Sequence, residues 1–458
     1  MKKHVLIFAL VSVLFSLSSC EDTDQQKETN DRSFIEIVYK SHADTLFLLW
    51  ELTGTAPDFD QYQIEVGKSK EKVQTAGKDK GECFFTHVPY DRPVSVSVSL
   101  VENDKAIKTN SISATIDGLD KTIARILIPD QGGVTAGDGI FSIVLPDGRS
   151  FFSMQDSYIG TVINGKMPES SNRKMYRNTY FVYDHASGTV TLVWPGSNSN
   201  ASAAAIPTDG SKWYWPGHGY TDGDKLYKFC SLMYMAGEGA WGFAVERVNV
   251  LTYQLPGLQL IDDRPIPYPG ADRTYEAVLK DGDYVYIYAG VSIQGGLDPK
   301  VDVMVARAAP NNPYAGWEYY NGSGWSGDPA DAVRMEGLSS VPVSSLSVFK
   351  LGDKYVLLTE HQALWVGDIY TFISDTPYGP WRNKKTVFTA HEPAILYTYN
   401  ATAHPQFQKD GMILVAYNVN LNDSDLNGDG VVDWRDIYVD VSAYRPRFFW
   451  VDIDTILN

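Results

Sequence analysis

The sequence predicts an all-β protein in which an N-terminal β-sandwich precedes a five-bladed β-propeller. Short strand-like runs with a period of two fill residues 34–116, and five longer hairpin units follow them. Each unit has an apolar strand, a tight turn that contains Gly and Asp, and an aromatic-rich strand. Repeated units of this kind, each extended by further strands, are typical of propeller blades. Beyond the N-terminal segment no window keeps the apolar spacing of a helix.

The N-terminal segment, residues 1–20, has the layout of a secretory signal. A Lys2-Lys3 start is followed by an apolar run that ends in Leu17-Ser18-Ser19-Cys20. The run is too short for a spanning helix, which needs roughly 20 apolar residues. Its ending resembles the lipobox of bacterial lipoproteins, which makes Cys20 the predicted lipidation site; a plain cleaved signal is the alternative. Glu21-Asp22 resembles an acidic surface-export signal, so we expect a lipid anchor in the bacterial outer membrane, exposed at the cell surface.

Two segments separate this anchor from the propeller. Residues 21–31 are polar and lack apolar periodicity, which predicts a flexible tether. Residues 32–120 contain about seven short strands, the pattern of a sandwich. Trp50 on an early strand, and Pro89-Tyr90 ahead of the long run 94–100, resemble a fibronectin type III domain. That resemblance implies a spacer or docking module without chemistry of its own.

Composition and charge limit the partners. The chain has 56 Asp and Glu against 39 Lys and Arg, a net charge of -17, and no basic cluster in the sequence. This argues against nucleic acid and anionic membrane surfaces. The polymer expected is neutral or uncharged in parts, and the 13% aromatic content suits either a carbohydrate surface or an ordinary β core. Cys83 and Cys230 fall in different predicted domains, so we expect two free, buried thiols.

The innermost strands of a propeller line its central channel. Residues that enter the five hairpins are therefore the candidates for a ligand site. In chain order they are Asp138, residues 213–218, Arg273 with Tyr275-Glu276, Ser344-Ser345 and His404.

Six motifs within residues 125–458 resemble a family of unknown function, made up of five-bladed propeller lipoproteins. They are Gly137-Asp138-Gly139, Gln155-Asp156-Ser157, Trp215-Pro216-Gly217, Asp281-Gly282-Asp283-Tyr284-Val285-Tyr286, Thr376-Pro377-Tyr378-Gly379-Pro380-Trp381 and Ala403-His404-Pro405. The family is distantly similar to glycoside hydrolases of the arabinanase and xylosidase type and to endo-D-arabinofuranosidases. Two positions depart from the pattern: His218 stands where an acidic residue is usual, and Gln155 where glycine is usual.

The resemblance implies hydrolysis of glycosidic bonds, which requires two carboxyl groups across the scissile bond. The predicted catalytic residues are Asp138, Asp156 and Glu276. The turn centred on Asp147 places Asp138 opposite Asp156 in an antiparallel hairpin, which brings both side chains to one face. The predicted substrate-binding residues are Trp213, Trp215, His218, Arg273, Tyr275, Glu360 and His404. Core packing is the alternative for each aromatic residue, and a place in the channel wall is the alternative for His404.

A second motif predicts a calcium site in an insertion at residues 423–437. Oxygen-bearing side chains occupy loop positions 1, 3, 5, 9 and 12, with glycine at position 6 and a backbone carbonyl at position 7. The predicted ligands are Asp425, Asn427, Asp429, Val431, Asp433 and Asp436. Asp at the last position resembles the loop of dockerin modules, but only one loop is present. The loop lies far along the chain from the acidic pair, so we expect a structural rather than a catalytic Ca²⁺ ion; a metal-free Asp-rich loop is the alternative.

These patterns favour a surface lipoprotein that acts on glycans, as a glycoside hydrolase with paired carboxylates in the propeller channel. The main alternative is a non-catalytic glycan-binding or scaffold lipoprotein, which needs aromatic and hydrogen-bonding groups but no acidic pair. A protein-interaction propeller is a third possibility, and it would lack the acidic pair and expose a more apolar face.

The anchor can be tested by replacing Cys20 with serine. A single acyl chain holds a protein only weakly and stable attachment takes more than one, so triacylated protein should be found wholly in the membrane fraction. Cys20→Ser should abolish lipid labelling and detergent partitioning. Continued labelling of the variant would contradict the assignment.

Overall fold

The computed structural model describes most of the chain after the signal segment. The described residues are 26–27, 34–42, 45–53, 56–67, 72–85, 88, 93–193, 203–238, 242–268, 270, 272–294, 300–338, 345–361, 366–422, 425–431 and 433–458. The predicted signal with Cys20, most of the predicted tether and Ser344 lie outside them. The chain divides into two compact units, residues 1–118 and 119–458.

The first unit is a sandwich of two antiparallel sheets with strand orders β1-β2-β3-β6 and β5-β4-β7-β8. The strands are β1 (Gln26–Lys27), β2 (Ile35–His42), β3 (Thr45–Leu52), β4 (Gln61–Val66), β5 (Lys72–Gly77), β6 (Glu82–Phe85), β7 (Val94–Glu102) and β8 (Lys105–Ala114). Alternate residues of β4 are buried, as expected for a strand with one face on a core. Trp50 and Tyr62 meet edge to face between the sheets, with ring centroids 5.4 Å apart. The predicted sandwich is confirmed, and its fibronectin type III assignment stays a prediction.

The second unit contains five successive antiparallel sheets, which are the blades. Blade one has β10 (Phe141–Val144), β11 (Ser150–Met154), β14 (Thr179–Asp184) and β15 (Thr189–Val193). Blade two has β16 (Trp213–Asp222), β17 (Lys225–Met235), β18 (Phe243–Gln254) and β19 (Gln259–Pro265). Blade three has β20 (Thr274–Asp281), β21 (Tyr284–Gln294), β22 (Lys300–Ala308), β23 (Glu318–Tyr320) and β24 (Trp325–Ser326). Blade four has β25 (Ser347–Leu351), β26 (Lys354–Glu360), β27 (Asp368–Ser374) and β28 (Arg382–Thr389). Blade five has β29 (Leu396–Lys409), β30 (Met412–Leu421) and β31 (Arg447–Asp452). A small sheet joins β9 (Ala136–Gly137), β12 (Ser157–Tyr158) and β13 (Met175–Tyr176).

The first strand of every blade contacts the first strand of the next, and β29 of blade five contacts β10 of blade one. The ring is therefore closed, which confirms the predicted propeller. Among the described residues the blades differ in strand number, since the sheet of blade three has five strands and that of blade five has three. In blade five, residues 422–446, hereafter the blade-five insertion, separate β30 from β31. Its Asp-, Asn- and Gly-rich sequence disfavours a strand.

The helices of the propeller unit are short: α1 (Lys121–Leu127), α2 (Ile453–Leu457), and 3-10 turns at Pro329–Asp331, Trp434–Tyr438 and Val441–Tyr444. Helix α1 is capped by Asp120, whose carboxylate accepts from the N–H groups of Thr122 and Ile123. Its single pair of buried apolar residues is too short a pattern to predict a helix from periodicity.

Hydrogen bonds join the two ends of the propeller unit. Leu119 forms an antiparallel bridge with Phe449, and the Trp450 indole N–H donates to the Asp120 carboxylate at 2.7 Å. On the inner strands the Thr402 hydroxyl donates to the Ile140 carbonyl at 2.8 Å. These contacts span residues far apart in the chain, so the ring closes only when the last blade has folded.

Neither Cys83, which is partly buried, nor Cys230, which is fully buried, forms a disulfide, and the two lie in different units. Within the described part of the chain, no helix is long and apolar enough to cross a membrane.

Candidate active site

The predicted acidic pair lies on the first hairpin of the propeller. Phe141 pairs with Ser153 and Gly137 pairs with Ser157, so the predicted register is the observed one on both sides of Asp138. The Asp138 N–H donates to the Asp156 carbonyl at 3.2 Å. No net register shift separates the two aspartates.

The glycines on either side of Asp138 allow this hairpin to close. Gly137 has φ 153° and Gly139 has φ 57°, values that an L side chain rarely adopts. A Cβ at Gly137 would lie 2.5 Å from the Ser157 Cβ, and one at Gly139 would lie 2.5 Å from the Gln155 Cγ. Gln155, unusual in the family pattern, therefore packs directly on Gly139.

Asp138 sits in a site that favours its protonated form. The Tyr399 hydroxyl donates to its Oδ2 at 2.7 Å, and its buried Oδ1 has no hydrogen-bond partner in the described structure. Burial, and then the charge of Asp156, raise the pKa of Asp138 to about 7, while the hydroxyls of Tyr399 and Tyr444 oppose the rise. A carboxyl with this pKa can give or take a proton near neutral pH.

Asp156 has partners that favour its charged form. Arg177 Nη1 lies 3.1 Å from its Oδ2, and the Trp215 indole N–H donates to its Oδ1 at 3.2 Å. Burial raises the pKa of Asp156, and the charge of Arg177 and these two hydrogen bonds counteract it. The two carboxyl groups therefore have unequal surroundings although they share one hairpin.

A cavity of about 280 Å³ is lined by Arg177, the ion-pair partner of Asp156, and by Trp213. The Arg177 guanidinium lies 4.3 Å from the centre of the Trp213 ring. Trp213 is only 7% exposed, while Trp215, which does not line the cavity, is partly buried. Arg177 therefore links the cavity to Asp156.

The two predicted histidines are part of the channel wall. His404 is fully buried, and its Nδ1 lies 2.7 Å from the Ser142 hydroxyl. His218 Nε2 lies 3.4 Å from the Ser347 hydroxyl. Burial lowers the pKa of each histidine to about 3, and nearby Lys228 adds to the effect at His218. Both rings are therefore neutral at physiological pH.

The other predicted residues lie away from the pair. Arg273 donates to the Pro329 carbonyl at 3.0 Å, and Tyr275 is fully buried against Trp317, with ring centroids 5.3 Å apart. A ring buried in this way has no face for a sugar. Glu360 is 2% exposed at the end of β26. Glu276 lies in β20 at a register shift, and its side chain is outside the described part.

Three site residues were not predicted: Arg177, Tyr399 and Tyr444. Arg177 precedes β14, Tyr399 belongs to blade five, and Tyr444 belongs to the blade-five insertion. Tyr399 and Tyr444 reach the pair from blade five and its insertion, whereas Arg177 comes from the segment that leads into β14 of blade one. Tyr399 shares an inner strand with His404, which is the one sequence signal that points to it.

The predicted calcium loop has hydrogen bonds within the described part of its backbone. Asp425 accepts from the N–H groups of Gly428 and Gly430 at 2.6 and 2.8 Å. Fully buried Asp436 accepts from the Asn427 N–H at 3.0 Å. Arg435 pairs with both Asp429 and Asp433, at 3.2 and 2.7 Å. Among the described residues no three His, Cys, Asp or Glu side chains form a metal-binding group.

Two residues that follow the predicted calcium loop pack near the acidic pair. The Tyr438 ring lies 6.0 Å from that of Tyr158, which lies two residues after Asp156. The Tyr444 ring lies 6.3 Å from that of Tyr158. These contacts join distant parts of the chain because the propeller brings its last blade against its first.

The fold and the pair define a closed-ring β-propeller with an acidic site at the junction of its first, second and last blades. The chain belongs to the family described as "Domain of unknown function (DUF5005)", which matches residues 125–453. No curated protein matches it.

Three solved structures resemble this chain to different degrees. A Bacteroides ovatus protein, described provisionally as a hydrolase, has a TM-score of 0.56 at 19% identity, covering 78% of this chain and 90% of that one. The exo-beta-1,3-galactanase of Phanerochaete chrysosporium has a TM-score of 0.41 at 9% identity, covering 70% of this chain and 61% of that one. The GH43_1 enzyme of Xanthomonas citri has a TM-score of 0.36 at 14% identity, covering 69% and 87%. At 19% identity, the similarity to the Bacteroides ovatus protein establishes a shared fold alone.

The raised pKa of Asp138 predicts a pH-dependent effect of Asp138→Asn on stability. The folded protein favours protonated Asp138, so its stability falls as pH rises from about 4, the unfolded value, to about 7. Asparagine has no charge to bury, so it removes this free-energy cost, and its side-chain oxygen still accepts a hydrogen bond from the Tyr399 hydroxyl. The melting temperature of Asp138→Asn should exceed that of the parent by a few degrees at pH 8, and the difference should vanish near pH 4.

Asp147→Asn, in the exposed turn of the same hairpin, is the matched control. Arg149 lowers the pKa of Asp147, so this change should slightly destabilise the protein at pH 8. Scanning fluorimetry from pH 4 to pH 8 measures both effects. A pH-independent difference for Asp138→Asn would show that Asp138 does not titrate as the structure indicates.

Proposed function

We propose that this protein acts on glycans as a glycoside hydrolase, with Asp138 and Asp156 as its paired carboxyl groups. The observation that carries the proposal is their placement: two acidic side chains lie on one hairpin, one with its pKa raised to about 7 and the other paired with an arginine that lines a cavity. Like charges held opposite each other destabilise a sheet, so a hairpin with no function for them would gain by losing one. The shared fold with the Bacteroides ovatus protein supports the proposal.

In the proposed reaction Asp138 is the proton donor. Its pKa of about 7 leaves much of it protonated at neutral pH, so it can protonate the departing glycosidic oxygen. Asp156, held by Arg177 and Trp215, supplies negative charge to the oxocarbenium-like transition state or activates water. Trp213 lines the cavity where the sugar would lie. Glu276 remains a third candidate carboxyl.

A non-catalytic glycan-binding protein is the second candidate. The observation that favours it is the saturation of Asp156, because one oxygen is bound by Arg177 and the other by Trp215. A carboxylate with both oxygens engaged is better suited to shaping a binding site than to attacking a substrate. The presence of the acidic pair argues against the third possibility, a protein-interaction propeller.

The test uses separate Asp138→Asn and Asp156→Asn variants against a panel of plant and microbial polysaccharides, with reducing ends as the readout. Loss of a general acid or base lowers turnover by about 10²–10⁴-fold. We expect losses of that order in both variants, with unchanged folding and retained glycan binding. Asp147→Asn should keep full activity. Unimpaired turnover in either site variant excludes the pair as the catalytic acids, and binding without turnover in the parent establishes the binding protein.

We also propose that the propeller is held at the outer membrane by lipid on Cys20, with residues 21–31 as a tether. The sequence motif supports this placement. A glycan-active propeller anchored in this way would meet polymers outside the cell.

We propose that residues 425–436 bind a structural Ca²⁺ ion. The donor set fits: Asp425, Asn427, Asp429, Asp433 and Asp436 supply side-chain oxygens, and Val431 supplies its carbonyl. Gly428 and Gly430 have φ of 76° and 81°, which lets the loop turn sharply. In binding calcium the loop would exchange its contacts with the Arg435 guanidinium for contacts with the cation.

Removal of calcium should lower stability, because a ligand that binds only the native state stabilises it by mass action. EDTA should lower the melting temperature of the parent by several degrees, and Asp429→Ala should remove that response. Asp440→Ala is the control, since Asp440 lies in the same insertion but caps the following 3-10 turn. It should melt earlier yet keep its EDTA response. Identical melting of the parent with and without calcium means that the loop binds none.

A further inference from the structure

A second cavity, of about 550 Å³, opens beside the blade-five insertion. Three basic side chains line it: Lys166, Arg173 and Arg435. Asn427 and Tyr438 add polar groups, and the other four lining residues are apolar. No Asp or Glu is among the described residues that line it. In a chain with 56 acidic and 39 basic residues, this concentration of positive charge is unusual.

Two of these cations are not neutralised. Arg435 pairs with Asp429 and Asp433. Arg173 instead donates to the Met167 carbonyl at 2.7 Å and lies 4.6 Å from the centre of the Tyr438 ring. Lys166 is exposed. Neither Lys166 nor Arg173 has a carboxylate partner among the described residues, so each keeps its full charge toward the cavity.

The local charge decides which ligand the cavity favours, despite the net charge of -17. Salt screens charges beyond about 8–10 Å at physiological ionic strength, so the distant acidic surface contributes little. Arg173 uses Nε and Nη2 on the Met167 carbonyl and keeps Nη1 for an anion, and Lys166 adds a point charge. The cavity therefore favours an anionic group.

The size and aromatic wall of the cavity fit a sugar rather than a small ion. Its volume lies within the range of about 300–1,000 Å³ that is typical of ligand pockets. Tyr438 lines it, and Trp434, which is 54% exposed, packs against Tyr438 with ring centroids 5.7 Å apart. Tyr438 is 8% exposed and has Arg173 over its ring, so exposed Trp434 is the ring that can offer an apolar face to a sugar beside the cavity. Tyr438 also contacts Tyr158, so the cavity lies one aromatic layer from the acidic pair.

We propose that this cavity binds the carboxylate of a uronic-acid residue, with Lys166 and Arg173 as its cationic contacts. The inference rests on the proposed glycan function and narrows the substrate class to acidic polysaccharides. It also revises the expectation of a neutral polymer, which was based on net charge alone.

The experiment titrates Asp138→Asn protein with trigalacturonic acid and with its methyl ester, which has the same rings without the charge. Calorimetry in calcium-containing buffer keeps the insertion in its proposed folded form. Inorganic sulfate serves as a free anion. The measurement is repeated with Lys166→Gln and Arg173→Gln added. Lys174→Gln is the control, because it removes the same charge beside Arg173 but does not line the cavity.

We expect the acid to bind about tenfold or more tightly than the ester, and each cavity variant to weaken it about fivefold or more. Lys174→Gln should change the affinity by less than about twofold. Since Arg173 supports the Met167 backbone, the Lys166 variant decides the outcome if Arg173→Gln fails to fold. Equal affinity for acid and ester, or no binding of either, overturns the proposal. Sulfate binding as tight as the acid would make this a plain anion site. The measurement detects binding and does not depend on hydrolysis. A result against the uronic-acid proposal is therefore distinguishable from a result against the catalytic roles of Asp138 and Asp156.

Discussion

The contact between the first and last blades is the constraint on which the rest of the propeller depends. Tyr399 reaches Asp138, Thr402 reaches the Ile140 carbonyl, and Trp450 reaches Asp120, all across more than half the chain. Such contacts are made late, because the entropy of closing a long loop must be overcome before they form. The acidic site therefore exists only in the closed ring. The hairpin brings the two aspartates together. Arg177 from blade one and Trp215 from blade two contact Asp156, and Tyr399 from blade five contacts Asp138.

Those groups explain how two adjacent carboxyl groups differ. Burial disfavours ionisation of both, and the charge of Asp156 further disfavours ionisation of Asp138. At Asp156 a full positive charge and an indole N–H oppose the effect of burial, although the pKa stays raised. At Asp138 two tyrosine hydroxyls and a backbone hydrogen bond oppose it, and one carboxyl oxygen has no partner in the described structure. A neutral hydroxyl stabilises a carboxylate less than an arginine does, so the charged form is better supported at Asp156. Trp215 of blade two thus contacts one carboxyl group, and Tyr399 of blade five contacts the other.

The features that could be predicted from sequence are those that depend on local pattern. Strand alternation gives the sandwich and the blades, and the symmetry of the turn about Asp147 gives the register of Asp138 against Asp156. What could not be predicted depends on which blades meet. Arg177 and Tyr399 carry no local signal for the acidic pair. Arg273 and Tyr275 lie at the start of a blade hairpin, as the sequence pattern predicts, but the Tyr275 side chain packs in the core formed by residues of blades two and three. Lys166, Arg173 and Arg435 form no basic run in the sequence, yet they line one cavity.

The blade-five insertion is the clearest case of function displacing regular structure. A fourth strand at this edge would complete the sheet of blade five, but its side chains would alternate between two faces and present few groups to blade one. The insertion instead forms two 3-10 turns, and their tyrosines, Tyr438 and Tyr444, both contact Tyr158. Its preceding loop has too few apolar residues to hold these turns by packing. Hydrogen bonds to buried Asp436 support it, and a cation bound by its carboxylates would add to that support. The same element therefore links three features. It contains the predicted calcium loop, its Tyr438 lines the cationic cavity, and Tyr438 contacts Tyr158, two residues after Asp156.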